Sequence, residues 1–182
     1  LIREVTAQVL IPTIDGMRAL GTPYIGILYA GLMLTDQGVQ VLEFNCRFGD
    51  PEAQVILPLL ETDLLDLLLA CVEGRLDEMD VRWREATATC VVLASGGYPD
   101  AYEKGKVITG LQEAGAIKDV MVFHAGTTVK GDRIVTNGGR VLGVTALGQT
   151  VAEAQARAYE AVDKIAFEGA YCRRDIAAKA MK

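Results

Sequence analysis

The chain has 182 residues and 51% hydrophobic residues, which is enough to bury a substantial core in one large domain or two small ones. Its net charge of −6 and pI near 4.9 provide no basic footprint, so we expect no nucleic-acid partner. The longest apolar stretches are interrupted by Pro58, Asp63 and Asp66 and fall short of the roughly 20 residues that a membrane helix requires, so we expect no membrane span either.

The first forty-five residues predict a helix followed by a β-hairpin. Apolar residues recur at helical spacing from Glu4 to Leu20, Gly21 is a stop signal, and Pro12 should kink or split the helix. The next segment is rich in aromatic and apolar residues, contains the turn sequence TDQG and ends in the alternating stretch VQVLEFN. It predicts a hairpin from residue 24 to residue 45.

A polar cluster follows directly at the end of that hairpin, in the sequence VLEFNCRFGDPEAQ. Because side chains alternate along a strand, Val39, Val41, Glu43 and Asn45 should share one face. A carboxylate and an amide oxygen two residues apart are suitable ligands for Mg²⁺, which keeps its other positions for water and phosphates. The same pair is equally compatible with the solvent-facing side of an amphipathic strand.

Three more charged residues continue this motif. Arg47 can clamp a phosphate or carboxylate with two parallel hydrogen bonds. Asp50 is predicted to cap a helix with Pro51 at its first position and Glu52 in its first turn. Alternatively, both carboxylates receive a substrate amine, and one residue at a helix N-terminus can serve both purposes.

The next helix and a change of composition suggest a domain boundary. The sequence TDLLDLLLACVEG predicts a helix that is capped by Thr62 or Asp63 and stopped by Gly74, with a leucine-rich face in the core. A charged segment without a long apolar run follows it. We therefore predict two domains, residues 1–82 and residues 83–182.

The second half predicts a β-rich domain with one closing helix. Short β-like runs are separated by turn sequences from Ala86 onward. In the last predicted helix, Thr150 and Glu153 match a capping box, and an apolar stripe runs along one face. The stripe comprises Val151, Ala154, Ala158, Val162 and Ile165. The predicted fold class is therefore α+β.

Other candidates for function in this half are less specific. Gly96 and Gly97 could turn backbone N–H groups toward an anion, although a turn ending in proline explains them equally well. Arg140, beside the turn TNGG, is either a surface cation or a ligand for a substrate phosphate. His124 is the only histidine, and we interpret it as a packed residue at a strand end rather than a general base.

The four cysteines are far apart and form no C-x-x-C pair. This spacing suits neither a zinc site nor a dense disulfide framework, and it favours reduced thiols. We therefore expect a cytoplasmic protein. The chain begins without an initiator Met and without a readable targeting signal, as expected for a fragment.

The motif RFGDPEAQ, from Arg47 to Gln54, resembles the signature of the glycinamide ribonucleotide synthetases, which are ATP-grasp ligases of purine synthesis. The segments GTPYIGILYAGLML, GGYP, VFHAGT, TNGGRVLGVTALG and EGAYCRRDI resemble later segments of that family in the same order. The resemblance implies the C-terminal part of an ATP-grasp lobe, followed by a small β-rich C-terminal domain with a closing helix.

The same resemblance implies a reaction and a set of ligands. ATP phosphorylates the carboxylate of glycine, and the amine of 5-phosphoribosylamine attacks the glycyl phosphate, which yields glycinamide ribonucleotide, ADP and phosphate. Glu43 and Asn45 carry over as ligands of Mg²⁺ or Mn²⁺ and so contribute to ATP binding. Arg47 is then the first candidate for stabilising the transferring phosphoryl group.

The remaining assignments concern the two substrates. Asp50 and Glu52, or the backbone near Gly96 and Gly97, would hold the amino or phosphoribosyl end of a substrate. Arg140 is a further candidate for the phosphate.

The sequence departs from the family in two respects. The strand before Glu43 contains no carboxylate, although ATP-grasp enzymes commonly place another metal ligand there. The family is also about twice as long, so its N-terminal half should be missing, and we expect the chain alone to be inactive. Two alternatives are an ATP-grasp ligase for another acid and a non-catalytic interaction domain of a larger chain.

Overall fold

A computed structural model describes residues 1–181 of the protein and shows an α+β fold. Its elements form two compact units. The first unit comprises residues 1–50 and 62–82, and the second comprises residues 51–61 and the chain from Trp83 onward. The chain therefore leaves the first unit at Asp50, returns to it at Thr62 and leaves it again after Arg82.

The N-terminal segment is helical, as predicted, but it has three parts. Helix α1 spans Ile2–Val5, a π-helical turn spans Thr6–Leu10, and helix α2 spans Ile11–Ala19. The N–H of the residue before Pro12 bonds to a carbonyl five residues back, and the proline lies in the first turn of α2, where no N–H is needed. The predicted split is confirmed, and it falls one turn before the proline.

The predicted hairpin is present and forms a two-stranded antiparallel sheet. Strand β1 spans Tyr29–Thr35 and strand β2 spans Gly38–Asn45. The hairpin begins at Tyr29 rather than at residue 24, because Gly26 has a φ of +136°, which breaks the extended backbone before β1. In the turn, the Thr35 hydroxyl accepts a hydrogen bond from the N–H of Gln37 at 3.1 Å.

A β-bulge interrupts the predicted alternation of β2. Gly31 pairs with Glu43, whereas the next residue of β1 pairs with Val41, so Leu42 is the extra residue. The prediction of one continuous face from Val39 to Asn45 is therefore wrong, because a bulge changes which side chains point the same way. Glu43 and Asn45 therefore need not point to the same side of the sheet as Val39 and Val41.

Helix α4 spans Leu64–Glu73 and has both predicted ends. The Asp63 carboxylate accepts a hydrogen bond from the N–H of Leu65 at 2.8 Å, and Gly74 closes the helix with a φ of +72°. The prediction that the leucine-rich face is core is confirmed only in part. Ala70 is buried and Leu64 and Leu67 are half-buried, whereas Leu65 is 63% exposed and Val72 is 72% exposed.

The segment after Asp50 begins as a turn rather than a helix. Helix α3 spans Ala53–Ile56, and a 3₁₀ turn, Leu57–Leu59, contains Pro58 and ends the helical run as predicted. The N–H of Gln54 bonds to the Pro51 carbonyl three residues back, so the chain enters α3 through a tight turn. The helix therefore starts two residues after the predicted position, and the prediction that Asp50 caps it is wrong.

The second unit is built on antiparallel strands, as predicted. Its main sheet has the order β3–β7–β4. A separate hairpin pairs β5 with β6. The strands are β3 (Thr87–Ala94), β4 (Val120–His124), β5 (Thr127–Lys130), β6 (Arg133–Thr136) and β7 (Arg140–Gly148). Short helical segments complete the fold, namely Leu76–Glu78 in the first unit and α5 (Leu111–Gly115) and Ala178–Met181 in the second.

Helix α6, Val151–Val162, closes one face of this sheet. Both halves of a cap are present, because the Thr150 hydroxyl accepts from the Glu153 N–H, while the Glu153 carboxylate accepts from the N–H of Gln149. Four buried residues of the predicted stripe meet the sheet, namely Ala154, Ala158, Val162 and Ile165.

The opposite face of the main sheet is covered by the segment that contains α3. The Thr145 hydroxyl donates a hydrogen bond to the Gln54 carbonyl at 2.9 Å. A Cβ at Gly143 would stand 3.7 Å from Gln54 Cγ, so the segment packs closely on β7. The core of the second unit therefore has helical cover on both faces of one sheet. Within residues 1–181, no helix combines the length and apolar character needed to cross a membrane.

Candidate active site

Three of the predicted site residues are linked at the end of β2. Asn45 Nδ2 donates to Glu43 Oε1 at 3.0 Å, and Asn45 Oδ1 accepts from Arg47 Nη2 at 3.2 Å. Arg47 Nη1 also donates to the Phe48 carbonyl at 2.8 Å, which holds the guanidinium beside the turn after the strand. The predicted convergence of Glu43, Asn45 and Arg47 is therefore a feature of the first unit.

The strand beside Glu43 leaves room for this side chain. Gly31 lies opposite it, and a Cβ at that position would come within 3.0 Å of Glu43 Cγ. The neighbouring strand contributes no carboxylate, as the sequence indicated. Among the described residues, no group of three or more Asp, Glu, His or Cys side chains could hold a metal ion. The two oxygen ligands of Glu43 and Asn45 nevertheless fit Mg²⁺, which needs only one or two protein ligands when phosphates and waters supply the rest.

The residue between Asn45 and Arg47, Cys46, forms a hydrogen bond with the phenol of Tyr24. A hydrogen bond with Cys46 is the main cause of a raised pKa of Tyr24, and the charge of the Cys71 thiolate would add a smaller effect. The Tyr24 hydroxyl also donates to the Ile27 carbonyl at 2.6 Å. Tyr24 therefore ties the segment before β1 to the residue between Asn45 and Arg47.

The two carboxylates of the DPE sequence are divided between the units. Asp50 is exposed and ends the first part of the first unit, whereas Glu52 is half-buried and lies in the second unit. Both residues take part in interactions within the protein.

The glycines of SGGYP lie against two other loops of the second unit. Ser95 N–H donates to the Gly139 carbonyl at 2.8 Å, and its hydroxyl donates to the Gly138 carbonyl at 2.9 Å. A Cβ on Gly96 would approach the Gly169 carbonyl oxygen to 2.8 Å, and one on Gly97 would overlap the Ala101 carbonyl. These glycines are required by close backbone packing.

Arg140 is the predicted residue that lines a cavity of the second unit, with a volume of about 300 Å³. Tyr98, Tyr171 and Arg173 line the same cavity. Ala94 and Tyr171 exchange two backbone hydrogen bonds of 2.8 and 2.9 Å, which fixes the C-terminal segment beside β3. The structure thus brings Arg140 together with a second arginine, Arg173, which lies in the family-like segment EGAYCRRDI but was given no role from the sequence.

His124 lies at the end of β4, as predicted, but it is exposed rather than packed. Its Nδ1 is 3.0 Å from the Thr127 hydroxyl. This contact spans the turn between β4 and β5, so His124 has a structural role in that turn. The exposure follows from its position at the outer end of a strand that lies at the edge of the sheet.

Comparison with known proteins identifies the family. Residues 1–53 match the model for the ATP-grasp (A) domain of phosphoribosylglycinamide synthetase, and residues 88–179 match the model for its C domain. A phosphoribosylamine–glycine ligase of Chlorobaculum tepidum is 56% identical over 100% of this chain and 43% of its own length. A bifunctional purine biosynthetic protein of Dictyostelium discoideum is 50% identical over 100% of this chain and 23% of its own length.

Solved structures agree with this result. The phosphoribosylamine–glycine ligase of Thermotoga maritima superimposes with a TM-score of 0.76 and 43% identity, over 90% of this chain and 40% of that one. The N5-carboxyaminoimidazole ribonucleotide synthetase of the same organism shares the fold, with a TM-score of 0.55 and 18% identity. The chain spans about 43% of the length of the ligase from Chlorobaculum tepidum, and it belongs to the phosphoribosylglycinamide synthetase family.

Proposed function

We propose that the chain is the C-terminal portion of an ATP-dependent ligase that joins glycine to 5-phosphoribosylamine. In this reaction, ATP phosphorylates the glycine carboxylate, and the amine attacks the glycyl phosphate to give glycinamide ribonucleotide, ADP and phosphate. Residues 1–82 would belong to the ATP-grasp domain and residues 83–182 to the ligase C-terminal domain. The ligases named above and the two family-model matches support this proposal.

The observation that carries the proposal is the linked group at the end of β2. Glu43 and Asn45 would hold Mg²⁺ or Mn²⁺, and such an ion would bind the phosphates of ATP and offset their charge. Arg47 lies within hydrogen-bond distance of Asn45 and would place a guanidinium beside the same phosphates. A non-catalytic interaction domain would not require a carboxylate, an amide and a guanidinium to be linked in one row, so the linked group favours a ligase.

The roles of the other predicted residues follow from the two substrates. Asp50 and Glu52 would receive an amino group, since carboxylates pair with ammonium groups. Arg140, with the loop of Gly96 and Gly97, would serve the phosphoribosyl end. The missing N-terminal half of the same enzyme would supply the rest of the nucleotide site, so the chain alone would be inactive. The four free cysteines support a cytoplasmic location.

The test is a calorimetric titration of the chain with Mg²⁺ or Mn²⁺ in the presence of ADP. The wild type should bind the ion, and the double variant Glu43→Gln/Asn45→Ala should not. A matched control, Glu78→Gln/Gln40→Ala, removes one carboxylate and one amide elsewhere in the first unit and should bind normally. If the folded wild type and the folded double variant bind the ion equally well, the assignment of Glu43 and Asn45 fails. If the folded wild type binds no ion at all, a non-catalytic interaction domain becomes the better description.

A further inference from the structure

The cavity beside Arg140 is lined by apolar side chains together with cationic ones, as expected of a site for an anion. The apolar part includes Cys90 and Val92 of β3, and Ile176. Arg140 and Arg173 are the charged residues that line it, and no carboxylate is among the lining residues of the described chain. Two guanidinium groups thus line one cavity in a protein with a net charge of −6.

Arg173 is held in a defined orientation. Its Nε and Nη2 donate to the two carboxylate oxygens of Asp175 at 2.9 and 2.7 Å, which is a bidentate pair. Within residues 1–181, Nη1 of Arg173 makes no hydrogen bond, so its two N–H groups remain available. The hydrogen bonds that it donates to Asp175 also raise the pKa of Arg173, so the guanidinium stays charged.

The neighbouring arginine provides a direct contrast. Arg174 also pairs with a carboxylate, because its Nη1 donates to Asp163 Oδ1 at 2.7 Å, and its guanidinium lies 5.5 Å from the centre of the Tyr159 ring. It does not line the cavity. Two adjacent arginines with the same exposure thus differ in whether they face the cavity.

The rim of the cavity adds two phenols, Tyr98 and Tyr171. Gly139 lies against the Tyr98 ring, and Tyr98 and Tyr102 meet edge to face with their ring centres 6.3 Å apart, which limits the positions that Tyr98 can take. A ring of this kind can pack on the C–H face of a pentose while its hydroxyl bonds to a sugar oxygen. The volume of about 300 Å³ is at the small end of ligand pockets, which suits a monosaccharide phosphate.

We propose that Arg173, together with Arg140, binds the phosphate monoester of a sugar-phosphate substrate in this cavity. Asp175 is a positioning residue that fixes the Arg173 guanidinium through Nε and Nη2 and leaves Nη1 for the phosphate. The inference rests on the proposed function, since 5-phosphoribosylamine is the substrate of that reaction that carries a phosphate monoester on a pentose. It adds the location of that phosphate within the second unit and names Arg173 as a residue that binds it.

The experiment is a titration of the ¹⁵N-labelled chain with ribose 5-phosphate, followed by two-dimensional NMR. Ribose 5-phosphate is a stable probe that retains the pentose and the phosphate. Signals of Tyr98, Tyr171 and Cys172 should shift with ribose 5-phosphate and not with ribose at the same concentrations. Inorganic phosphate should shift the signals near Arg173 with weaker affinity, because it cannot use the phenols.

The adjacent arginines supply the matched variants. Arg173→Ala should weaken binding of ribose 5-phosphate about tenfold, as expected for the loss of hydrogen bonds to a charged group, whereas Arg174→Ala should bind as the wild type does. Arg173→Lys keeps a charge but loses the planar fork, so it should bind several-fold more weakly, and it serves as the measure if Arg173→Ala does not fold. Equal binding by the wild type and the Arg173 variants overturns the proposal, as does an equal loss in Arg174→Ala.

The result can be separated from a failure of the ligase assignment. If Mg²⁺ and ADP bind through Glu43 and Asn45 but ribose 5-phosphate shifts no signal at the cavity, the inference about the cavity is wrong and the ligase proposal stands. If ribose 5-phosphate binds through Arg173 and the ion does not bind, the cavity is a sugar-phosphate site and the assignment of Glu43 and Asn45 as metal ligands fails.

Discussion

Asn45 turns its amide nitrogen toward Glu43, with Nδ2 donating to Oε1 at 3.0 Å, while its oxygen accepts a hydrogen bond from Arg47 at 3.2 Å. A cation shared by Glu43 and Asn45 needs the amide oxygen on the Glu43 side. Binding would therefore require rotation of the Asn45 amide and release of Arg47. The released guanidinium would then be available to a phosphate.

This relationship predicts opposite effects of one substitution on two ligands. Arg47→Met should increase affinity for Mn²⁺ alone by about threefold, because a competing hydrogen bond and a nearby positive charge are removed, and exposed interactions of this kind are worth less than about 1 kcal/mol. The same variant should bind Mn²⁺ with ADP more weakly than the wild type does. Paramagnetic titration measures both affinities. Arg18→Met, another exposed arginine of the first unit, should change neither, and weaker binding of Mn²⁺ alone by Arg47→Met would contradict the coupling.

Gly31 predicts a steric test of the same site. Gly31→Ala should weaken Mn²⁺ binding by about 1 kcal/mol, because the new methyl group would meet Glu43 Cγ at 3.0 Å and push the carboxylate aside. Gly16→Ala is the control, since a Cβ there meets nothing within 4 Å. Calorimetric titration should separate the two variants, and identical affinities would show that Glu43 can move without loss.

The pair of Arg173 and Asp175 predicts a pH dependence. The hydrogen bond from Arg173 lowers the pKa of Asp175 below its usual value, so the pair stabilises the folded state at pH values above the unfolded pKa of about 3.9. That stabilisation is lost as the pH falls through the lower, folded pKa. Asp175→Asn should therefore be less stable than the wild type at pH 6, and the difference should shrink between pH 4 and pH 2. Urea unfolding at each pH measures it, and a difference that grows on acidification would contradict the sign.

The cap of α6 predicts a change in stability that is independent of the proposed sites. Thr150→Ala should lower the free energy of unfolding by about 1 kcal/mol, because the hydroxyl accepts the Glu153 N–H at the start of the helix. Thr150→Ser keeps the hydroxyl and should retain most of the stability. Denaturant unfolding provides the measurement, and equal losses in both variants would mean that the methyl group, rather than the hydrogen bond, is what stabilises the helix.

Local features of the fold were predictable because their causes lie within a few residues. Asp63 and Gly74 bound α4 as predicted, since a carboxylate cap and a left-handed glycine act on the adjacent turn alone. The cap of α6 is likewise confirmed. The contacts among Glu43, Asn45 and Arg47 were also predictable, because a strand places alternate side chains together without help from distant parts of the chain.

Errors arose where a distant partner decides the outcome. The bulge at Leu42 depends on how β1 pairs with β2, and the periodicity of one strand does not contain that information. The leucine-rich face of α4 has the pattern of a core helix, but burial requires an element to pack on it, and Leu65 and Val72 are exposed.

Periodicity, caps and motifs are properties of neighbouring residues, so the fold class, the family and the row of side chains at the end of β2 could be predicted from the amino-acid sequence. The cavity could not, because it forms only when distant segments pair. Tyr98, Arg140 and Arg173 are separated by more than thirty residues from one to the next, and they meet because β3 pairs with both β7 and the Tyr171 segment. Hydrogen bonds between strands that are remote in sequence bring two arginines to one cavity, and no local pattern encodes that meeting.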